Sequence, residues 1–282
     1  MMATAQPPTA DWTTDADLWR CPTCGGSPRP VADGSALACG SCGRAFPIRD
    51  GVLVVKDEVS DNNKVAVDFY NGPLWPKFRF WEWFTFVCNG GERRSRDKVL
   101  RHLPKQAKLR LLDVAIGDGV YLDWLPTDWS VVGIDVSTVQ LDACRSRAGG
   151  RDLKLILGEA EELPVGDGRF DAALSIGGFN YFNDPEKALR EMARAVRPGG
   201  TIVVSDEIPN LTDRMIFRKI GLPGVDHWIV SKLLKLGDPF TEMVERHRTL
   251  DVRAIADRVL PGSVYEPIWM GVGYVLVGRV PG

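Results

Sequence analysis

Strand-like and helix-like stretches alternate along the chain from Leu109 onward, and this order restricts the fold more than any other feature. Short apolar runs predict strands at 109–116, 130–135, 153–157, 170–176 and 200–206, and amphipathic stretches predict helices at 119–126, 137–148 and 184–197. Such alternation is typical of parallel strands whose connecting helices cover one sheet. A helix at 251–260 and strands at 263–269 and 272–279 complete the pattern. We predict an α/β fold with a doubly wound, mostly parallel, seven-stranded sheet.

The chain divides into four regions by composition. We expect a disordered lead at 1–18, a Gly- and Cys-rich module at 19–57, a helical aromatic cap at 58–108, and the alternating domain at 109–282, with an insertion at 207–249. The 282 residues carry a formal net charge of −2, so no overall field directs the protein toward nucleic acid or anionic lipid. We find no apolar run of membrane-spanning length and no signal-peptide pattern, and therefore expect a cytoplasmic protein.

Four of the six cysteines form two CxxC pairs. Cys21 and Cys24 form one pair and Cys39 and Cys42 the other, with fourteen residues between Cys24 and Cys39. Without an export signal, paired cysteines indicate metal binding rather than disulfides. Two knuckles supply the four thiolates of a closed, tetrahedral structural Zn²⁺ site. A redox pair is the alternative, and two knuckles at this spacing argue against it. We predict one structural zinc ion and assign no catalysis to it.

A glycine-rich turn, "LLDVAIGDG", follows the first predicted strand of the alternating domain. Asp113, Gly117 and Gly119 lie at the end of this strand, where glycine lets the backbone approach a ligand without a Cβ clash. The next strand ends at Asp135, eighteen residues after Gly117, and an acidic residue there can accept both hydroxyls of a ribose. The pattern predicts a nucleoside-containing cofactor. The alternatives are that the glycines only end a strand and that Asp113 caps a helix.

The turn lacks two features of a dinucleotide site. Leu122 replaces the third small residue of G-x-G-x-x-G, and Asp118 lies between the glycines, where its charge would repel a pyrophosphate. A cofactor with a ribose and a cationic amino-acid tail suits these residues better. We therefore predict S-adenosylmethionine as the cofactor.

Four segments resemble, in order, the motifs of class I S-adenosylmethionine-dependent methyltransferases. They are "LLDVAIGDG", "VVGIDVS", "GEAEELPVGDGRFDAALS" and "ALREMARAVRPGGTIVVSDE". The resemblance covers residues 109–206, is closest to the ubiquinone/menaquinone-biosynthesis methyltransferase-like group, and implies a Rossmann-like sheet. The cysteine module and the following "FPIRDGVLVV" resemble the Trm112-like zinc-ribbon family over 19–57. Stand-alone members of that family resemble activators of methyltransferases, which implies a role here in stabilisation or substrate presentation.

The resemblance implies a cofactor site. Asp113 is expected to help hold the amino group, Asp135 to accept the ribose hydroxyls, and Glu159 to contact adenine. The other residues expected to line the cofactor are Ala115, Ile116, Gly117, Gly119, Val136, Gln140, Ala160 and Ser175. The sequence departs from the family at "AIGDG", where "GCGTG" is usual, and at Glu159, where Asp is commoner.

Methyl transfer from a sulfonium is an in-line displacement in which the protein aligns the reactants and excludes water, so a weak base is often enough. We expect the loop "IGGFNYFND" after Ser175 to contact the acceptor, with Tyr181 as a candidate catalytic residue. His227, in the insertion, and Asp206, at the tip of the fifth strand, are the other candidates. Glu207 is an alternative proton acceptor.

Two segments bear on the methyl acceptor. Residues 68–87 hold nine aromatic side chains, which predict a cap packed on the sheet, a lid over an apolar acceptor, or a contact with a bilayer surface. Residues 92–110 carry eight Lys or Arg against two acids. We weigh three hypotheses: methylation of a small lipophilic molecule or secondary metabolite, an rRNA or tRNA methyltransferase that uses the ribbon and the basic segment, and a non-catalytic protein that keeps the fold. The glycine turn with Asp135 favours an enzyme, and a small-molecule acceptor is preferred over nucleic acid.

Overall fold

The computed structural model describes residues 11, 12, 15, 17–56, 58, 59, 61–73, 75–209, 221–228 and 247–282. Most of the lead predicted at 1–18 and of the insertion predicted at 207–249 lies outside the described residues, as do the side chains of residues 62, 81, 85, 223, 226 and 227. None of the described helices has the length and apolar character needed to cross a membrane.

Eleven strands and seven helices are described. The strands are β1 (Pro28–Pro30), β2 (Ala36–Cys39), β3 (Ala45–Arg49), β4 (Val52–Val54), β5 (Arg110–Val114), β6 (Ser130–Asp135), β7 (Leu153–Leu157), β8 (Phe170–Ile176), β9 (Val196–Glu207), β10 (Val264–Ile268) and β11 (Gly273–Arg279). The helices are α1 (Asp61–Tyr70), α2 (Trp75–Cys88), α3 (Glu92–Leu100), α4 (Thr138–Ser146), α5 (Pro185–Ala195), α6 (Pro223–Trp228) and α7 (Val252–Val259). The strands predicted at 130–135, 153–157 and 170–176 coincide with β6, β7 and β8.

The eleven described strands join one sheet, in the order β1-β2-β3-β4-β7-β6-β5-β8-β9-β11-β10. Strands β7, β6, β5, β8 and β9 run parallel to one another, and β11 is antiparallel to both β9 and β10. The strands β5 to β11 form the predicted doubly wound, mostly parallel, seven-stranded sheet, so the predicted fold class is confirmed. The strand order reverses at β5, between β6 and β8, and ligands of such sheets bind at the carboxyl ends of the strands at this point.

The helix predicted at 119–126 is wrong. Only a single turn of 3₁₀ helix, Leu122–Trp124, forms there. Leu125 is extended, with φ −83° and ψ 151°, because the residue before a proline is sterically disfavoured in the helical region and Pro126 follows. The chain therefore passes from the glycine turn to β6 without a full helix.

Apolar side chains cover both faces of the central sheet. One face packs against α5 and α7, whose buried residues include Leu189, Met192 and Ile255. The other face packs against α3 and α4 through Val99 and Leu141. Strands that are apolar on both sides require helices on both faces, which is why the chain alternates as it does.

The cysteine module is continuous with the larger sheet. Its last strand, β4, pairs in parallel with β7, with Val52 opposite Leu155 and Val54 opposite Leu157. Strands β1 to β4 pair antiparallel with one another in chain order. The module therefore extends one edge of the sheet, and the chain leaves β4 beside the carboxyl end of β7.

Helices α1 and α2 form an aromatic cap next to the carboxyl end of β8. Tyr70 Oη donates to the carbonyl of Gly177 at 3.2 Å, and Phe69 packs against Tyr181. Phe80 and Trp83 face outward, with 55% and 53% of their surfaces exposed. The aromatic cap thus has an inner side packed near the strand tips and an outer apolar side.

Candidate functional site

Asp135 ends β6, and its carboxylate closes the glycine turn. Its Oδ2 accepts the Gly117 N–H at 2.9 Å, and its Oδ1 accepts the Ser137 N–H at 2.9 Å. Each oxygen keeps a second lone pair, so the carboxylate can accept two more hydrogen bonds, as the two hydroxyls of a ribose would require. Burial raises the pKa of Asp135 to about 6, and the N–H donors of Ser137 and Gly117 partly oppose that rise.

The two glycines of the turn serve different purposes. Both have positive φ, 58° at Gly117 and 62° at Gly119. A Cβ atom at position 119 would lie 2.6 Å from Cys144 Sγ, so glycine is needed there for packing against α4. At position 117 the nearest atom to an added Cβ is Gln140 Oε1, at 4.0 Å. The backbone of Gly117 is therefore the open part of the turn, where a ligand can approach closely.

Asp113 is buried directly behind the glycine turn. Both of its carboxylate oxygens lie 3.0 Å from Tyr121 Oη, which donates to them. Burial raises the pKa of Asp113 to about 8, against the lowering effect of the tyrosine hydrogen bond. Asp113 does not cap a helix. Tyr121, which orients this carboxyl group, belongs to no motif of the sequence.

Glu159 follows β7 and is only 5% exposed. Its Oε2 accepts a hydrogen bond from Lys56 Nζ at 2.5 Å, whereas its Oε1 is buried with no hydrogen-bond partner among the described residues. A buried oxygen of this kind is costly unless a ligand or water donates to it. The adjacent Ala160 is also buried. The position is compatible with the predicted adenine contact, and the contribution of Lys56 was not predicted.

The other residues predicted to line the cofactor differ in what they offer. Ile116 packs its side chain toward Gly133, where an added Cβ would meet Ile116 Cδ1 at 2.5 Å, so only its backbone is available at the turn. Ser175 is fully buried in β8, and its Oγ has no hydrogen-bond partner in the described part of the chain. Val136 is partly buried and Gln140 is buried beside the turn.

Asp206, predicted as a candidate catalytic residue, holds the loop after β8. Its Oδ2 accepts the Asn180 N–H at 2.9 Å, and its Oδ1 accepts the Glu207 N–H at 2.9 Å. The side-chain amide of Asn180 (Nδ2) donates to the Glu207 carbonyl at 2.6 Å, and Tyr274 Oη donates to Asn180 Oδ1 at 3.1 Å. Burial raises the pKa of Asp206 to about 7. These contacts favour a positioning role over proton transfer.

Glu207 is the other proton acceptor predicted at the tip of β9. It ends β9 and is partly buried, and loss of hydration raises the pKa of its carboxyl group to about 7, with a further contribution from the charge of Glu82 in the aromatic cap. Burial, and then the charges of Asp206 and Asp135, raise the pKa of Tyr70 well above its usual value. The hydroxyl of Tyr70 donates to the Gly177 carbonyl, which places the ring beside the loop after β8.

Of the two remaining catalytic candidates, the structure describes the side chain of Tyr181 only. Tyr181 is buried in a 3₁₀ turn, Phe179–Tyr181, where it packs against Phe69 and lies edge-on to the His247 ring with 5.0 Å between the ring centroids. This packing joins the loop after β8 to the aromatic cap. His227 belongs to α6, and its side chain lies outside the described residues.

The four predicted metal ligands come together. The sulfur atoms of Cys21, Cys24, Cys39 and Cys42 all lie within 4.8 Å of one another, with 3.8 Å between Cys21 and Cys42 and 3.5 Å between Cys24 and Cys39. A tetrahedral zinc site with Zn–S bonds of about 2.3 Å places its sulfurs about 3.8 Å apart, so the cluster fits this ion. A backbone N–H donor from Cys42 lowers the pKa of Cys39 to about 6, which favours the thiolate.

Three exposed cations of the basic segment lie away from this site. Arg93, Arg101 and Lys105 line a cleft of about 410 Å³ together with Trp124 and Trp129. Trp129 immediately precedes β6 and Lys105 lies shortly before β5, so the cleft is at the amino ends of the strands, whereas Asp135 is at a carboxyl end. The geometry gives no support to the rRNA or tRNA alternative through this segment.

Two known families match the chain. Residues 112–204 match the family described as a methyltransferase domain, and residues 17–51 match the family described as Trm112p-like protein. Both predicted family resemblances are confirmed over these residues.

Curated relatives share part of the chain. A demethylmenaquinone methyltransferase of Thermus thermophilus is 36% identical over 139 residues, which cover 45% of this chain and 61% of the relative. A 27-O-demethylrifamycin SV methyltransferase of Amycolatopsis mediterranei is 29% identical over 133 residues, covering 45% of this chain and 49% of the relative. A solved structure described as a SAM-dependent methyltransferase from Aquifex aeolicus matches 79% of this chain and 100% of that chain, at 16% identity and a TM-score of 0.47. The chain spans less than two thirds of the length of these curated relatives.

Proposed function

We propose that this chain, in which a class I methyltransferase domain follows a Trm112-like module, is an S-adenosylmethionine-dependent methyltransferase with a small, largely apolar acceptor. The observation that carries the proposal is the hydrogen bond of 2.9 Å between the Gly117 N–H and Asp135 Oδ2. It joins an open glycine backbone to a carboxylate with two lone pairs to spare, at the point where the strand order reverses. A nucleoside with an amino-acid tail needs this combination.

Each site residue contacts a different part of the cofactor. Asp135 accepts the ribose hydroxyls, and Gly117 lets the tail approach the backbone. Oε1 of Glu159, which has no hydrogen-bond partner within the described ranges, accepts from the amino group of adenine. Asp113 acts through Tyr121 from behind the turn. When bound, S-adenosylmethionine supplies a methyl group on a positively charged sulfur, and the protein contributes alignment and a dry site.

Glu207 is the proposed general base. A base with a pKa near the working pH combines the correct protonation state with a useful driving force, and burial raises the pKa of Glu207 to about 7. Its backbone is held by Asp206 and Asn180, so the carboxylate is attached to an ordered part of the site. Tyr181 supports the same loop through its packing against Phe69.

The aromatic cap supports a small apolar acceptor. Phe69, Tyr70, Trp75 and Phe78 form one aromatic cluster, with ring centroids 4.8–6.0 Å apart, beside Tyr181. The relatives above are named for a demethylmenaquinone and a demethylrifamycin, which are small organic molecules. Contact of the outer side of the aromatic cap with a bilayer, and a cytoplasmic location, stay predictions. The four cysteines are proposed to hold one structural Zn²⁺.

A transfer screen with labelled cofactor tests the proposal. The purified chain is incubated with methyl-labelled S-adenosylmethionine and host extract, and the products are separated into lipid, small-molecule and RNA fractions. We expect label in the lipid or small-molecule fraction that is absent with Asp135→Ala. Label in the RNA fraction would contradict the acceptor class, and cofactor binding without any transfer would favour the non-catalytic alternative.

A further inference from the structure

Lys56 brings the zinc-ribbon module into contact with the cofactor site. It follows β4 by two residues, and both the Val55 N–H and the Lys56 N–H donate to the carbonyl of Leu157, at 2.9 and 3.3 Å. Leu157 is the last residue of β7, so the backbone of the module is attached to the strand that leads into Glu159. The side chain of Lys56 then reaches Glu159 Oε2 at 2.5 Å.

The two oxygens of Glu159 have different environments. Lys56 is the ion-pair partner of Oε2, and this hydrogen bond is the main reason why the pKa of Lys56 is raised. Oε1 is buried and has no hydrogen-bond partner in the described part of the chain. Glu159 is 5% exposed, and burying a carboxylate is costly unless a cation or several donors compensate the lost hydration. Lys56 supplies that cation and leaves one oxygen available for a ligand.

We propose that Lys56 is a positioning residue for cofactor recognition, since it holds Oε2 of Glu159 and leaves Oε1 to accept from the exocyclic amino group of adenine. The inference rests on the proposed function. It makes the ribbon module part of the cofactor site, because a lysine supplied from outside the methyltransferase domain holds one oxygen of a carboxylate proposed to contact adenine.

Two ligands and four variants test this assignment. The ligands are S-adenosylhomocysteine and S-inosylhomocysteine, whose base has a carbonyl oxygen in place of the amino group, and binding is measured by calorimetry. The variants are Lys56→Met, Lys56→Arg, Glu159→Gln and the matched control Lys64→Met. Lys64 forms an exposed ion pair with Asp68 at 2.9 Å on α1. The control Lys64→Met therefore removes the same charge as Lys56→Met without changing the contact with Glu159.

The expected result is a loss of selectivity. Lys56→Met weakens binding of S-adenosylhomocysteine about tenfold or more, the size of one charge-assisted hydrogen bond, and leaves S-inosylhomocysteine nearly unchanged. Lys56→Arg restores the preference for adenine, and Lys64→Met behaves as wild type. Glu159→Gln also loses the preference, because an amide nitrogen can donate to the carbonyl of the inosine base.

Other outcomes separate this inference from the proposed function. Wild type that binds neither ligand contradicts the proposed function itself. Wild type that prefers adenine, with the preference unchanged in Lys56→Met, overturns only the role of Lys56. An equal loss for both ligands also overturns it, because that pattern reports a structural defect. If Lys56→Met does not fold by circular dichroism, Lys56→Gln takes its place in the same measurements.

Discussion

The Cβ atom of Ala115 occupies space that a side chain at position 178 would need, since a Cβ atom added to Gly178 would lie only 2.4 Å from it. Ala115 replaces the first glycine of the methyltransferase motif that the turn resembles, and it has a φ of 62°, a conformation that costs a non-glycine residue about 1 kcal/mol. The departure from the family pattern at Ala115 is therefore matched by a glycine in the loop after β8.

We predict that Gly178→Ala destabilises the protein by about 1–3 kcal/mol through overpacking. Gly178 itself has φ −127°, which any residue can adopt, so the cost is steric contact with Ala115. The double variant Ala115→Gly/Gly178→Ala should recover most of the loss, as measured by denaturant unfolding. Additive effects of the two substitutions would contradict the contact.

Asp135→Ala should weaken S-adenosylmethionine binding about 100-fold or more, because two charge-assisted hydrogen bonds to the ribose are lost. Calorimetry measures the affinity. Asp142→Ala is the control, since Asp142 is an exposed aspartate on α4 that pairs with Arg145. Unchanged affinity in folded Asp135→Ala would refute the ribose contact.

Glu207→Gln should lower the rate of methyl transfer about 100-fold and flatten its pH profile. A base must be deprotonated, and the pKa of Glu207 is raised to about 7, so the wild-type rate should fall as the pH drops below 7. The profile is measured on the acceptor fraction found in the labelling screen.

Asp206→Asn is the companion variant for this prediction, because the pKa of Asp206 is also raised to about 7. An asparagine has only one acceptor oxygen for the two N–H groups that donate to Asp206, so we expect a lower melting temperature. We expect the fall in the rate of methyl transfer below pH 7 to be retained. If the fall in rate at low pH disappears in Asp206→Asn and persists in Glu207→Gln, then Asp206 rather than Glu207 is the general base.

Asp113→Asn should raise the melting temperature at pH 8 by a few degrees, on the order of 4 °C, and change it less at pH 5. The pKa of Asp113 rises from 3.8 to about 8 on burial, so between these values the folded state binds the proton more tightly than the unfolded chain. Stability contributed by this group is then lost as the pH rises, and asparagine removes that loss. The exposed Asp123→Asn serves as the control, and equal shifts at both pH values would contradict the prediction.

The purified protein should contain about one zinc ion per chain, measured by elemental analysis, and Cys39→Ser should lose it. Because β4 is paired with β7, we expect metal loss to lower the melting temperature of the whole domain rather than of a separate unit. Cys88→Ser, at an exposed cysteine of α2, should keep both metal and stability. A fully folded wild type without metal would refute the site.

Much of the framework could be predicted from local patterns. The strands at 130–135, 153–157 and 170–176 follow from apolar runs of strand length, and Gly117 and Asp135 were paired because parallel strands end at the same edge of a sheet. The CxxC spacing likewise predicted the sulfur cluster. The helix at 119–126 was wrong because the pattern of apolar residues outweighed the local effect of Pro126.

The choice between Asp206 and Glu207 could not be made from sequence. The two residues are adjacent at the end of one strand, and side chains of neighbouring strand residues point to opposite sides. Only the position of the loop Phe179–Tyr181 shows that the Asp206 carboxylate already accepts a hydrogen bond from the backbone N–H of Asn180.

The sequence by itself determined most elements of the alternating domain, the order of the motifs and the chemistry of the turn and the cysteines, because these depend on residues close together in the chain. The tertiary structure decided which distant groups meet. Lys56 and Glu159 are separated by 103 positions, and Ala115 and Gly178 lie on different strand-to-helix connections, so their contacts exist only once β4 is placed beside β7 and β5 beside β8. Pairings of this kind arise from the order of strands in the sheet, which no local periodicity specifies.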